Sequence, residues 1–193
     1  MKIAVSGTAG VGKTVLSSAL APLLELKYIA ENYEPLFDNA GSFNSSPENL
    51  IQAIYQVLDN KHKIEVEAVN FITDRCPVDL FHMWMTKGLD KDEAATAEFF
   101  AHCLQQTRNY DFILLPAWGS LKLQQKEGQK NRQVRVMNAW TQLRNHASIT
   151  GYIHLWVPPI RIIQLPMSLS DHDQRVRFVL EQIKLRTARD DSG

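Results

Sequence analysis

The stretch Gly7-Thr8-Ala9-Gly10-Val11-Gly12-Lys13-Thr14 constrains this chain more than any other part of it. It fits the pattern G-x-x-x-x-G-K-[ST], follows the apolar run KIAVS directly, and opens the helical pattern VLSSALAPLLEL. That placement between strand and helix is the context the pattern needs. The glycines let consecutive backbone N–H groups curl around phosphate oxygens without Cβ clashes, and the helix N-terminus adds partial positive charge. Lys13 is expected to bridge the β- and γ-phosphates, and the Thr14 hydroxyl to ligate Mg2+. A nucleotide triphosphate held on Gly7–Thr14 with Mg2+ is the first expectation.

A phosphate loop sits at a strand end, so the remaining strands decide what surrounds it. Short apolar runs predict strands at Lys2–Ser6, Lys27–Glu31, Ala68–Asp74, Tyr110–Pro116 and Gly151–Val157. Runs such as FILLP and YIHLWV are continuous rather than alternating, as in a sheet covered on both faces. Helical patterns lie between them. The first starts at Lys13, with Pro22 predicting a kink or an early end. A second is predicted from Ser46 as N-cap with Pro47 at the first helical position, carrying Leu50, Ile51, Ile54, Tyr55 and Leu58 inward. Others are predicted after Pro77, after the Asp90/Glu93 spacing, over Arg132–Asn145 and over Asp173–Arg186. This alternation predicts an α/β fold: about five parallel strands with helices on both faces, in three αβα layers.

With 193 residues, 45% of them hydrophobic, the chain is expected to form one domain over 1–193. Lys and Arg total 21 against 21 for Asp and Glu, so no net charge draws the chain to nucleic acid or to an anionic membrane. No apolar run reaches the length of a membrane span, and the opening MKIAVSGTAG is broken too early by Gly and Ser for a secretory signal. Cys76 and Cys103 are too few for a disulfide framework, which points to a reducing compartment. The expectation is a soluble cytoplasmic protein.

In a parallel sheet, ligands sit beyond the carboxyl ends of the strands, so polar residues there carry most weight. The second strand runs into Glu31 and the third ends at Asp74-Arg75. Asp74 can hold Mg2+ directly or through water, Arg75 can clamp an acceptor's hydroxyl or phosphate, and either Glu31 or Asp74 can take the acceptor's proton. The segment 119–146 carries Lys122, Lys126, Lys130, Arg132, Arg135 and Arg144 against Glu127 alone, and reads as a lid able to neutralise a moving phosphoryl group. Lys130, Arg132 and Arg135, next to Gly128, are the favoured lid residues. Tyr33, Phe37, Phe43 and Tyr55 are candidates for stacking on an acceptor ring, and Gln52 and Gln56 for reading its edge. The six histidines show no zinc-like spacing with the cysteines.

The set GTAGVGKT, YIAENYEP, TDRCPVDLF, YDFILLPAW and KEGQKNRQVRV resembles the P-loop kinases related to the nicotinamide riboside kinase domain of NadR-type proteins, and the wider AAA-type ATP-binding group. The Asp-Arg after the third strand is also similar to that of nucleoside and thymidylate kinases. The resemblance implies a P-loop NTPase fold, ATP and Mg2+ as cofactors, and a small nucleoside- or nucleotide-like acceptor. It matches Glu31-Asn32-Tyr33 to an E-Y-like motif and Asp74–Asp79 to D-R-[ST]-P-x-D, with Cys76 in place of a hydroxyl residue. The lid motif is matched loosely by Glu127-Gly128-Gln129-Lys130 and Arg135, with Lys130 in place of an arginine. No acid follows the fourth strand at Pro116-Ala117-Trp118.

The leading expectation is therefore a kinase that transfers phosphate from Mg2+·ATP to a small acceptor, with no nucleic-acid or membrane partner and compatible with a homodimer. The alternative is a nucleotide-dependent ATPase switch, or an ATP-sensing module without a small-molecule acceptor. Thr8 stands where switch ATPases of the metal-insertion and partitioning type carry a second lysine. A GTPase is disfavoured, because Asp38-Asn39-Ala40-Gly41 follows no strand and Thr86-Lys87-Gly88-Leu89 ends in Leu where an acid would bond guanine.

Overall fold

A computed structural model describes residues 1–37, 46–121 and 138–190. The sheet is parallel throughout and runs β2-β3-β1-β4-β5. Its strands are β1 (Lys2–Val5), β2 (Lys27–Ile29), β3 (Phe71–Asp74), β4 (Phe112–Leu115) and β5 (Ile162–Gln164). β1 pairs with β3 on one side, Val5 opposite Asp74, and with β4 on the other, Val5 opposite Leu114. The chain leaves β1 for β2 and β3, then crosses to β4 and β5. The exit of β1 is thus flanked by the exits of β3 and β4, where such sheets take their ligands.

Two buried clusters cover the two faces. On one, Ile3, Val5, Ile72, Phe112, Leu114 and Ile163 pack against Leu16 and Leu20 of α1 (Lys13–Leu23) and Val179 and Ile183 of α6 (His172–Asp190). On the other, Ala4, Phe71, Ile113 and Ile162 meet α2 (Pro47–Glu67), α3 (Pro77–Thr86), α4 (Glu93–Thr107) and α5 (Ala139–Trp156). Strand alternation does the sorting. In β3 it turns Ile72 and Asp74 toward α1, and Phe71 and Thr73 toward α2. Thr73 accordingly accepts a bond from Lys61 of α2, whose ammonium also pairs with Glu65 at 2.9 Å.

The helix starts follow their caps. Ser46 accepts from the Asn49 N–H at the head of α2, as expected. Pro22 lies one residue before the end of α1, which stops at Leu23. The α4 cap is Asp92, accepting from the Ala95 N–H at 3.0 Å, two residues beyond the expected Asp90. The main correction concerns the fifth strand. Gly151–Val157 is not a strand: all but its last residue form the final turns of α5, and the strand lies at Ile162–Gln164. The apolar run hid a helical spacing, since Ile149, Ile153 and Trp156 are buried while Leu155 is 81% exposed. The helix expected over Arg132–Asn145 correspondingly begins at Ala139 within the described residues. The lid residues Lys122, Lys126, Lys130, Arg132 and Arg135, along with Asp38–Gly41 and Phe43, lie outside them. No described helix is long and apolar enough to cross a membrane.

Candidate functional site

At the exit of β1 the backbone turns sharply, with Gly10 and Gly12 both at φ 84. Gly12 is the N-cap of α1 and brings no side-chain cap, and no acid lies in the first turn. Helices α2, α4 and α5 start differently, each with a Ser, Asp or Asn oxygen accepting first-turn N–H groups. The first-turn donors of α1 therefore remain available to an anion, with the helix partial charge behind them.

Lys13, the first residue of that helix, is 6% exposed. Its ammonium donates to the Thr8 carbonyl of its own loop at 2.9 Å. Burial, aided by the nearby Arg75 charge, pulls its pKa down to about 8 against the opposing pull of Asp79, Asp74 and Glu31. The group is a cation held where charge is costly.

Thr14 follows at the next position, and its hydroxyl donates to Oδ2 of Asp74 at the end of β3. The other oxygen, Oδ1 of Asp74, is buried with no hydrogen-bond partner. Burial raises the pKa of this carboxyl, with Glu31 adding to the effect and Lys13 and Thr14 countering it. An orphaned buried carboxylate oxygen beside a threonine hydroxyl suits Mg2+, which takes one or two protein oxygens and completes its shell with water and phosphate. Among the described residues no group of three or more His, Cys, Asp or Glu side chains gathers into a larger metal cage.

Arg75 is one residue beyond β3 and has φ 68, a left-handed conformation that costs a non-glycine residue roughly 1–2 kcal/mol. Such strain concentrates where a side chain must be aimed. Here Arg75 bonds Glu31 through Nε and Asp79 through Nη1 at 3.2 Å, and its guanidinium lies 5.0 Å from the centre of the Tyr33 ring. Burial works against its charge, and Tyr33, Glu31, Asp79 and Asp74 together outweigh it and hold the group firmly protonated. Glu31 and Arg75 thus come together as a pair, not as two independent groups. Tyr33 lies beneath that pair, 8% exposed, with its hydroxyl buried and unpartnered.

Asp79 is the last acid of the D-R-x-P-x-D stretch, and its role emerges only from the structure. It is 3% exposed and accepts from the Ser6 hydroxyl at 2.6 Å, the Cys76 N–H at 3.0 Å and Arg75. It ties the root of the phosphate loop to the exit of β3. The second acid of D-R-x-P-x-D, three residues past the helix cap, was the available signal.

A hollow borders the phosphate loop and a separate groove runs along α2. The hollow, of about 150 Å3, is lined by Gly10, Val11, Trp118, Gly119, Leu121 and Gln142, small beside the ~300–1,000 Å3 of ordinary ligand pockets. The groove, open and of about 460 Å3, takes in Gln52, Tyr55 and Gln56 but no phosphate-loop residue. Tyr55 packs edge-on against Trp84, Phe99 and His102, and Phe37 packs against the core.

A family model described as an AAA domain matches residues 2–157. None of the curated proteins matches the chain by sequence. Several solved structures share its fold. Deoxyadenosine kinase from M. mycoides with bound dCTP is 16% identical with a TM-score of 0.68, covering 95% of this chain and 99% of that one. Thymidylate kinase from Candida albicans is 14% identical with a TM-score of 0.65, covering 96% and 92%. NadR protein in complex with NR is 14% identical with a TM-score of 0.65, covering 94% of this chain and 51% of that one. At these identities the likeness establishes a P-loop kinase-like fold.

Proposed function

The chain belongs to the AAA domain family, and on that premise we propose that it is a kinase transferring the γ-phosphoryl group of Mg2+·ATP to a small nucleoside- or nucleotide-like acceptor. The observation that carries the reading is the contact of Thr14 with Asp74 beside the buried Lys13, at the open N-terminus of α1. Similar folds in deoxyadenosine kinase, thymidylate kinase and NadR support an acceptor of that class.

In this reading the N–H groups of Gly7–Thr14 receive the phosphates, and Lys13 exchanges the Thr8 carbonyl for β- and γ-oxygens. Thr14 and Asp74 would hold the Mg2+, which would supply positive charge to the triphosphate. Arg75 orients the acceptor, and Glu31 takes the proton of its hydroxyl as the new O–P bond forms and ADP leaves. Asp74, committed to Thr14 and the metal, is the poorer base. Arg132 and Arg135 are the lid cations proposed to face the transferring group. The site as a whole is proposed to act in the cytoplasm, without nucleic acid.

The test is ADP release from Mg2+·ATP with a panel of nucleosides, nucleoside monophosphates and nicotinamide riboside. One acceptor should stimulate turnover. Lys13→Ala should lower kcat/KM by about a hundredfold or more, and Arg75→Ala should raise the acceptor KM. Glu31→Gln should keep ATP affinity while losing ~10²–10⁴ in rate. Turnover indifferent to every acceptor would favour the ATPase switch, and an unchanged kcat in Glu31→Gln would remove Glu31 as the base.

A further inference from the structure

One buried cation near the phosphate loop belongs to none of the roles above. Arg175, on α6, is 2% exposed and lies outside residues 2–157 that match the family. Its Nε donates to the Leu169 carbonyl at 2.8 Å, its Nη1 to the Val11 carbonyl at 2.9 Å, and its Nη2 to the Ser120 hydroxyl. Ser120 in turn donates to the Ala117 carbonyl at 2.6 Å, within the segment that leaves β4 for the lid. A Cβ added to Gly12 would stand 3.1 Å from Nη1 and 2.8 Å from Leu121 Cδ1, so this packing leaves Gly12 no room for a side chain, and its φ of 84 disfavours one besides.

Among the described residues no carboxylate pairs with Arg175. A buried guanidinium without an anion is expensive, and three carbonyl or hydroxyl acceptors compensate it only in part. A neighbouring phosphate would supply the missing negative charge through the loop.

The geometry also bears on direction. In a trans peptide the C=O and the following N–H point opposite ways. By holding the Val11 carbonyl, Arg175 leaves the Gly12 N–H facing the opposite side of that peptide, away from the guanidinium. We propose that Arg175 is a positioning residue that sets the Gly12 N–H for phosphate and links the lid root at Ser120 to the phosphate loop, so that α6 takes part in nucleotide binding. The proposal rests on the reading of Gly7–Thr14 as a nucleotide site.

The experiment is calorimetric binding of Mg2+·ATP, ADP, AMP and inorganic tripolyphosphate to the full chain and to Arg175→Gln, Arg175→Lys and Ser120→Ala, with melting temperatures recorded alongside. Arg175→Gln should bind ATP, ADP and tripolyphosphate about tenfold more weakly, the scale of one lost charge-assisted bond, and AMP as before. Arg175→Lys should fall between it and the unaltered chain. Folded Arg175→Gln that binds ATP within twofold of the unaltered chain would overturn the proposal, as would an equal loss for AMP. If Arg175→Gln does not fold, Ser120→Ala decides: a two- to threefold loss for ATP and ADP supports the link, and no loss refutes it. Failure of the unaltered chain to bind ATP or tripolyphosphate would instead remove the nucleotide site itself, and this proposal with it.

Discussion

Lys13 is held in a setting that opposes its charge. With its pKa at about 8 in the fold and 10.5 outside it, the unfolded chain binds more protons between those values. Stability should therefore rise with pH from about 8 to 10.5, the penalty being fully present below about 8 and gone above 10.5. Melting temperatures across that window should show this slope in the native chain and lose it in Lys13→Met. Phosphate should restore the ammonium, so Mg2+·ATP binding at pH 8.5 should take up protons, and binding at pH 6.5 should not. Titration calorimetry in two buffers of different ionisation enthalpy measures the uptake directly. At this scale the sequence was most legible where chemistry lies in consecutive residues. Lys13 and Thr14 were readable from the motif, whereas the capture of Glu31 by Arg75 was not, since it joins residues 44 apart.

Among the elements, α1 and α4 show what a cap decides. Helix α4 begins at Asp92, whose carboxylate closes the first turn. Asp92→Ala should cost about 1 kcal/mol of stability by denaturant melting and leave nucleotide affinity unchanged, because the helix start is remote from the loop in bonding terms. Helix α1 has no such closure, and its open donors are the proposed phosphate site. Caps announced themselves well at Ser46, within two residues at Asp92, and poorly in the last third of the chain. There the run YIHLWV satisfied a buried-strand pattern and an amphipathic helix equally. Only the packing of Ile149, Ile153 and Trp156 into one cluster separates the two. The short strand Ile162–Gln164, behind Pro158 and Pro159, is too brief to assert itself by periodicity.

At the scale of the whole fold, the sheet separates the described interior into two apolar clusters, one on each face. Ile153 of α5 lies in one and Ile183 of α6 in the other. Ile153→Val and Ile183→Val should each cost about 0.5–1.5 kcal/mol. Their double variant should equal the sum within about 0.5 kcal/mol, as expected of sites with no shared partner. A larger deviation in denaturant unfolding would show that the sheet transmits strain between its faces.

The sequence alone determined the phosphate loop, the alternation of strands with helices and the acid at the end of β3, because each is written in adjacent residues or in a short period. Tertiary structure decided which distant groups meet. Asp79 reaches Ser6 across 73 positions and Arg175 reaches Val11 across 164, contacts that no local pattern specifies. They exist because parallel pairing of β1 with β3 and β4 aligns the strand exits, and because α6 packs on the same face as α1. Residue order can name the parts of such a site, while the stacking of layers sets the distances between them.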